Sequence, residues 1–230
     1  MNNDLEKTFT CTGGEFILPL HKMALKYTRI KAFIFDWDGV FNDGIKGEDY
    51  ASGFSEIDSM GVNMLRFENW LRKSEIPLSF IITGQQNKQA VYFAERECLN
   101  AIYIGYKNKK QALEHILKTY RLKASQIAFV FDDVLDLSLA EVVGLRFFVR
   151  RKASCMLTDF VKSRDLCDYI TGNTASSFAV REVCELLLSL SGNYEKITEL
   201  RMHFDPVYQE YYELRNKQKT EQYYFQKQQI

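Results

Sequence analysis

Phe33-Ile34-Phe35-Asp36-Trp37-Asp38-Gly39-Val40-Phe41-Asn42-Asp43-Gly44 sets two carboxylates two residues apart, where an apolar run passes into a turn. Alternate side chains of an extended segment share a face, so Asp36 and Asp38 can both lean over the carboxyl edge of a sheet. Open α/β folds collect their ligands at that edge. Two anions held so close repel until a cation or a shared proton relieves them, and an oxygen ligand set favours magnesium. Taken alone, the segment also fits a polar turn that merely ends a buried strand.

Three further segments repeat the design of an apolar strand followed at once by polar, chemistry-bearing residues. Leu78-Ser79-Phe80-Ile81-Ile82-Thr83-Gly84 ends in a hydroxyl and a glycine, which suits the close approach of a phosphate oxygen. Ala101-Ile102-Tyr103-Ile104-Gly105-Tyr106-Lys107-Asn108-Lys109 leads into a helix and offers Lys109 or Lys107 as a fixed cation. Ile127 to Asp136 carries Asp132, Asp133 and Asp136 directly behind a buried-looking strand. Strands are expected near 31–36, 78–82, 101–104, 127–131 and 145–149. Met60, Met64, Leu65 and Leu71 mark one intervening helix, and Leu113, Ile116, Leu117 and Tyr120 another. Alternation of strand and helix predicts a doubly wound α/β fold around a mainly parallel sheet. The stretch from Gly44 to Ser55 is too short for a cap domain and long enough for a small β-hairpin flap.

The ordered set, Asp-x-Asp, Thr-Gly, lysine, then Asp-Asp-x-x-Asp, resembles the haloacid dehalogenase superfamily of phosphotransferases from about residue 30 to 190. Phe54 to Val62, Tyr103 to Lys109 and Ala179-Val180-Arg181-Glu182-Val183-Cys184 sharpen the likeness to its branch of 3-deoxy-D-manno-octulosonate 8-phosphate phosphatases, which lacks a large cap. The resemblance implies a Rossmann-like fold and a magnesium-dependent phosphomonoester hydrolase acting on an acidic keto-sugar phosphate. Asp36 would be the nucleophile that forms an aspartyl phosphate, and Asp38 the general acid and then base. Thr83 would bind a phosphate oxygen and Lys109, rather than Lys107, would offset the charge. Mg2+ would be held by Asp36, the Asp38 carbonyl and Asp132, with Asp133 and Asp136 orienting Lys109 and the waters around the metal. Asp58, Gly84 and Gln85 would meet the substrate. A homotetramer is implied as well, with a neighbouring subunit closing the pocket.

Three departures fall where substrate identity would be read. Gln85 stands where the branch has arginine, Phe131 where it has glycine, and Ala175-Ser176-Ser177-Phe178 replaces a glycine-rich loop. They leave open a second reading, a non-catalytic regulator or assembly subunit that binds a sugar phosphate on the same fold.

With 46% hydrophobic and 26% charged residues, the chain can bury an α/β core without disulfides. Zero formal net charge gives no electrostatic footprint for nucleic acid or an anionic membrane. Cys11, Cys98, Cys155, Cys167 and Cys184 are scattered, without metal-ligand spacing or a disulfide framework, and point to a reducing cytoplasm. No basic, apolar leader or membrane-span pattern is present. His21, His115 and His203 lack zinc spacing. The expected organisation is an N-terminal packing arm over 1–29, a catalytic domain over 30–192 and a helical extension over 193–230. In that extension Asp205-Pro206 reads as a cap and first turn, and Val207, Tyr211 and Leu214 as a shared face.

Overall fold

Strands that are apolar on both sides are satisfied only between two layers of helices, and that requirement organises the protein. The computed structural model describes residues 2–47 and 52–225. In chain order these form α1 (Asn2–Cys11), β1 (Glu15–Phe16), α2 (Leu20–Thr28), β2 (Ala32–Phe35), α3 (Glu56–Lys73), β3 (Leu78–Thr83), α4 (Lys88–Arg96), β4 (Ala101–Ile104) and α5 (Lys109–Thr119). There follow β5 (Ile127–Phe131), α6 (Leu137–Ala140), β6 (Leu145–Phe148), α7 (Cys155–Ser163), β7 (Tyr169–Ile170), α8 (Ala179–Leu190), α9 (Tyr194–Met202), α10 (Pro206–Asn216) and β8 (Glu221–Tyr224). Among the described residues the sheet order is β1-β7-β6-β5-β2-β3-β4-β8. Only β1 and β7 pair antiparallel; the other neighbours are parallel.

β2 shows why the sheet is central. Phe33 and Phe35 enter a core shared with α2, α4 and α8, while Ala32 and Ile34 enter the opposite core beneath α5, α6 and α7. Because β2 lies between β5 and β3, the chain leaves it in one direction and later returns on the other side. That reversal is the topological switch point at which such sheets bind ligands.

Both flanking segments are built into the sheet. Residues 2–28 supply two helices and the strand that pairs with β7. After α10 the chain runs back as β8 beside β4, with Glu221 opposite Ala101 and Tyr224 opposite Ile104. The helical extension expected over 193–230 is therefore corrected over 221–224, while residues 226–230 lie outside the described residues. The expected cap of α10 is present, since Asp205 accepts from Val207 N at 2.9 Å behind Pro206. Its buried face is Tyr208, Tyr211 and Arg215, however, and not Val207 and Leu214, which are exposed. Two tyrosines pack edge-on and tilted against Phe67 of α3, and their hydroxyls bond Asn63, so aromatic residues with a polar tip win the interface over smaller aliphatics.

Between β2 and α3 there is no inserted domain. Residues 43–47 and 52–55 carry no strand, and 48–51, where the tip of the expected hairpin flap falls, lie outside the described residues. No helix among the described residues is long and apolar enough to cross a membrane.

The C-terminal helices are locked down by a buried charge network. Glu97 accepts from Ser59 Oγ at 2.7 Å and from Arg215 Nη1 at 3.0 Å, while Arg66 donates to the Glu97 and Cys98 carbonyls. Removing one partner of a buried pair strands the other. Glu97→Gln is therefore expected to cost about 3–5 kcal/mol of unfolding free energy, read from urea titration of the variant beside the native chain.

Candidate active site

Trp37, between the two leading aspartates, is wholly buried and stacks on Phe41 with ring centroids 5.1 Å apart. Its Nε1 donates to the Ser52 carbonyl at 3.2 Å. This anchored ring fixes the turn that presents Asp36 and Asp38 at the carboxyl end of β2. The Asp36 N–H donates to Val130 O of β5 at 3.0 Å, so Asp132 at the end of β5 and Thr83 at the end of β3 flank it. Asn108 caps α5 by accepting from Lys110 N. The first residue of that helix, Lys109, thereby reaches back under the strand ends.

The buried Lys109 ammonium pairs with Asp36 Oδ1 at 2.5 Å and with Asp136. Asp136 Oδ2 in turn accepts from the N–H groups of Asp132 and Asp133 at 3.3 and 3.1 Å. Carboxylate oxygens of Asp36, Asp132 and Asp136 lie within 4.8 Å of one another. Burial, with the Asp136 charge adding to it, raises the Asp36 carboxyl well above the usual range in spite of Lys109. Asp132 is raised too, by burial first and then by Asp36 and Asp136, against the pull of Arg151. Burial draws the Lys109 ammonium down, but Asp136 and Asp36 more than reverse this, so its value is also raised. All three shifts have one meaning: carboxylates outnumber cations in a dry site. Asp132 Oδ1 is buried without a hydrogen-bond partner among the described residues. An all-oxygen cluster with such an orphan fits a hard divalent cation.

The structure brings Asp36, Asp38, Thr83, Gly84, Gln85, Lys107, Lys109, Asp132, Asp133 and Asp136 around one cavity of about 190 Å³. Lys107 is an exposed rim residue, and Lys109 is the buried one. Gln85 is exposed; its N–H donates to Thr83 Oγ1 at 3.3 Å. Phe131 crowds nothing at the metal cluster, because its ring turns into the opposite core against Phe129 and Phe148.

Asp58 is not brought to this cavity. It is fully buried in α3, where Oδ1 accepts from Arg181 N at 2.8 Å in the first turn of α8. It pins two helices together, as a carboxylate suits a helix N-terminus. Two site residues escaped the sequence reading. Lys46 pairs with Asp38 Oδ2 at 2.6 Å and bonds Ser52 Oγ at 3.2 Å, and Arg151 pairs with Asp132 and lies 3.8 Å from Asp133. The basic run Arg150-Arg151-Lys152 just beyond a parallel strand was the available signal for Arg151.

No family model matches the chain. Its relatives include 3-deoxy-D-manno-octulosonate 8-phosphate phosphatase of Escherichia coli, 29% identical over 180 residues, which are 74% of this chain and 86% of that one. The enzyme of the same name from Salmonella typhi is 29% identical over 81% of this chain and 92% of its own length. The solved structure of the Moraxella catarrhalis enzyme, in complex with magnesium ion, phosphate ion and KDO, is 28% identical. It superposes with a TM-score of 0.65 over 78% of this chain and 97% of that one. In fold, carboxylate site and sequence the chain is similar to phosphatases and hydrolases of the haloacid dehalogenase superfamily. Among these it resembles 3-deoxy-D-manno-octulosonate 8-phosphate phosphatase, and its described residues carry no large cap.

Two outcomes follow from this geometry. Gly39 has φ +88°, and a Cβ there would collide with the Asp132 carboxylate and the Arg151 guanidinium. Gly39→Ala is expected to weaken magnesium binding by calorimetry about tenfold or more, a loss typical of disturbing groups around a metal site. Burial pushes the Asp58 carboxyl up to about 7, against the Arg181 N–H and charge, and Oδ2 has no hydrogen-bond partner among the described residues. A carboxyl raised above its unfolded value of about 3.9 contributes stability that is complete below that pH and fades as pH climbs through about 7. Asp58→Asn keeps an acceptor for Arg181 N and loses this dependence. Its stability should gain on the native chain by on the order of a few kcal/mol between acid and pH 8, measured by urea unfolding at a series of pH values.

Proposed function

We propose that the chain is a magnesium-dependent phosphomonoester hydrolase acting through an aspartyl phosphate on Asp36, with 3-deoxy-D-manno-octulosonate 8-phosphate or a related acidic keto-sugar phosphate as substrate. The observation that carries the reading is a buried Asp36 paired to Lys109 beside an Asp132 oxygen that has no hydrogen-bond partner among the described residues. Mg2+ would be held by the Asp36 and Asp132 carboxylates and the Asp38 carbonyl, and would supply charge neutralisation for the phosphoryl group.

The chain's own residues do the rest. One oxygen of Asp36 attacks phosphorus while Asp38 delivers a proton to the departing sugar oxygen. Asp38 then takes a proton from the water that attacks the aspartyl phosphate, which frees inorganic phosphate and restores Asp36. Thr83 Oγ1 donates to a non-bridging oxygen. Lys109 balances the charge that passes from Asp36 to the phosphoryl oxygens. Asp136 positions Lys109 by their ion pair and is itself held by two backbone N–H groups. Asp133, which accepts from Val134 N at 2.7 Å, shapes the turn that carries Asp132.

A second cavity of about 260 Å³, lined by Phe41, Asn42, Ile45, Phe54, Ser176 and Phe178, adjoins the Lys46 segment and offers room for the sugar. Phe178 sits there in left-handed geometry, φ 66°, where the branch has glycine. With no large cap, a neighbouring subunit of a homotetramer completes the pocket, and the enzyme works in the cytoplasm.

The test is phosphate release from a panel of sugar phosphates and an aryl phosphate, with and without magnesium, for the native chain and Asp36→Asn. The expected result is magnesium-dependent release that falls by about 10³-fold or more in the variant, the scale of losing a nucleophile. No release from any compound by a folded chain that still binds magnesium would instead favour the sugar-phosphate-binding regulator, a reading to which the missing cation at Gln85 gives its support.

A further inference from the structure

A third cavity, polar and of about 240 Å³, opens between α3, the end of α4 and the two C-terminal helices, and Arg96, Arg201 and Arg215 converge on it. Two of these cations are already paired. Arg96 binds Glu56 and comes within 3.7 Å of Glu97, and Arg215 bonds Glu97 Oε2 at 3.0 Å. Arg201 pairs with no carboxylate among the described residues, and its Nε is buried without an acceptor. Arg66 adds a fourth guanidinium behind the wall, donating to the carbonyls of Glu97 and Cys98. Four guanidinium groups therefore face two carboxylates.

Stacking holds two of these cations in place. The Arg201 guanidinium carbon lies 4.6 Å from the Tyr208 ring centroid and that of Arg215 lies 5.0 Å from Tyr212, and the two tyrosine rings stack at 6.1 Å. A guanidinium laid on an aromatic face keeps its in-plane N–H groups open to polar partners: Arg215 gives its own to Glu97 and Asn216, whereas Arg201 has no such partner among the described residues. Asn63, whose Oδ1 is taken by the Tyr208 hydroxyl, adds an amide donor to the same wall. The open Arg201 fork and the Asn63 amide, backed by the excess positive charge of the paired guanidinium groups, match the several acceptor oxygens of a phosphate better than a single carboxylate.

We propose that this cavity binds a phosphate group, free or esterified to a small molecule, separately from the catalytic cavity. Isothermal titration of the full chain with inorganic phosphate, and in parallel with ribose 5-phosphate, tests it. Arg201→Gln should lose one equivalent of bound ligand, or weaken it at least tenfold, with an unchanged melting temperature. Arg201→Lys, which keeps the charge without the fork, should fall in between. Lys109→Met should remove only the catalytic equivalent, so the count at Arg201 stands or falls independently of the phosphatase reading. Tighter binding of the ester identifies an esterified ligand, and equal binding identifies free phosphate. Native stoichiometry and affinity in Arg201→Gln would overturn the proposal, as would binding by the native chain at the catalytic cavity alone.

Discussion

A single ammonium, that of Lys109, holds Asp36 and Asp136 together where all three are buried from solvent. These side chains arrive on separate elements, one after β2, one after β5 and one at the start of α5. Each carboxylate in such surroundings is costly unless matched. The parallel sheet tolerates the crowding because its switch point gathers strand ends that the chain visits at different times. The helix caps, the buried Trp37 and the absence of a side chain at Gly39 all serve to keep that crowding in one geometry. Charge is left unbalanced where a divalent ion and a phosphoryl group would meet.

The same logic, with the sign reversed, governs the outer layer. There, guanidinium groups exceed carboxylates, and aromatic rings rather than a metal keep them apart. The molecule thus pairs an acid-rich cluster at the sheet edge with a base-rich one beneath α9 and α10. Glu97 sits at the junction, holding α10 to the body of the protein through Arg215.

Much of this was legible in the chain because buried parallel strands write themselves as unbroken apolar runs, and chemistry that sits at their ends follows in the next residues. Asp36, Asp132 and Lys109 are found by that rule. Asp58 defeats it: a carboxylate turned towards a helix N-terminus carries the same letter as one turned towards a ligand, and only the packing of α8 on α3 decides. Phe131, which stands where the branch has glycine, follows strand alternation into the core face shared with Phe129 and Phe148. Strand β8 was unreadable for a different reason. Glu-Gln-Tyr-Tyr turns only the half-buried Tyr223 towards the core, being stabilised by the backbone ladder to β4 and by that ring stacking on Tyr103.

That last strand carries a consequence for how the protein is made. Thr220, which leads into it, bonds the Leu99 carbonyl across a gap of 121 residues. While a ribosome is still producing α5 through α10, β4 is already synthesised yet has an open side. Unpaired strand edges recruit other chains, and distant partners are the slowest to arrive. Nascent copies on one messenger would therefore share a common sticky seam until each supplies its own closing segment. Expression at low temperature or with chaperones that shield such seams should matter more for this protein than the stability of its finished core would suggest.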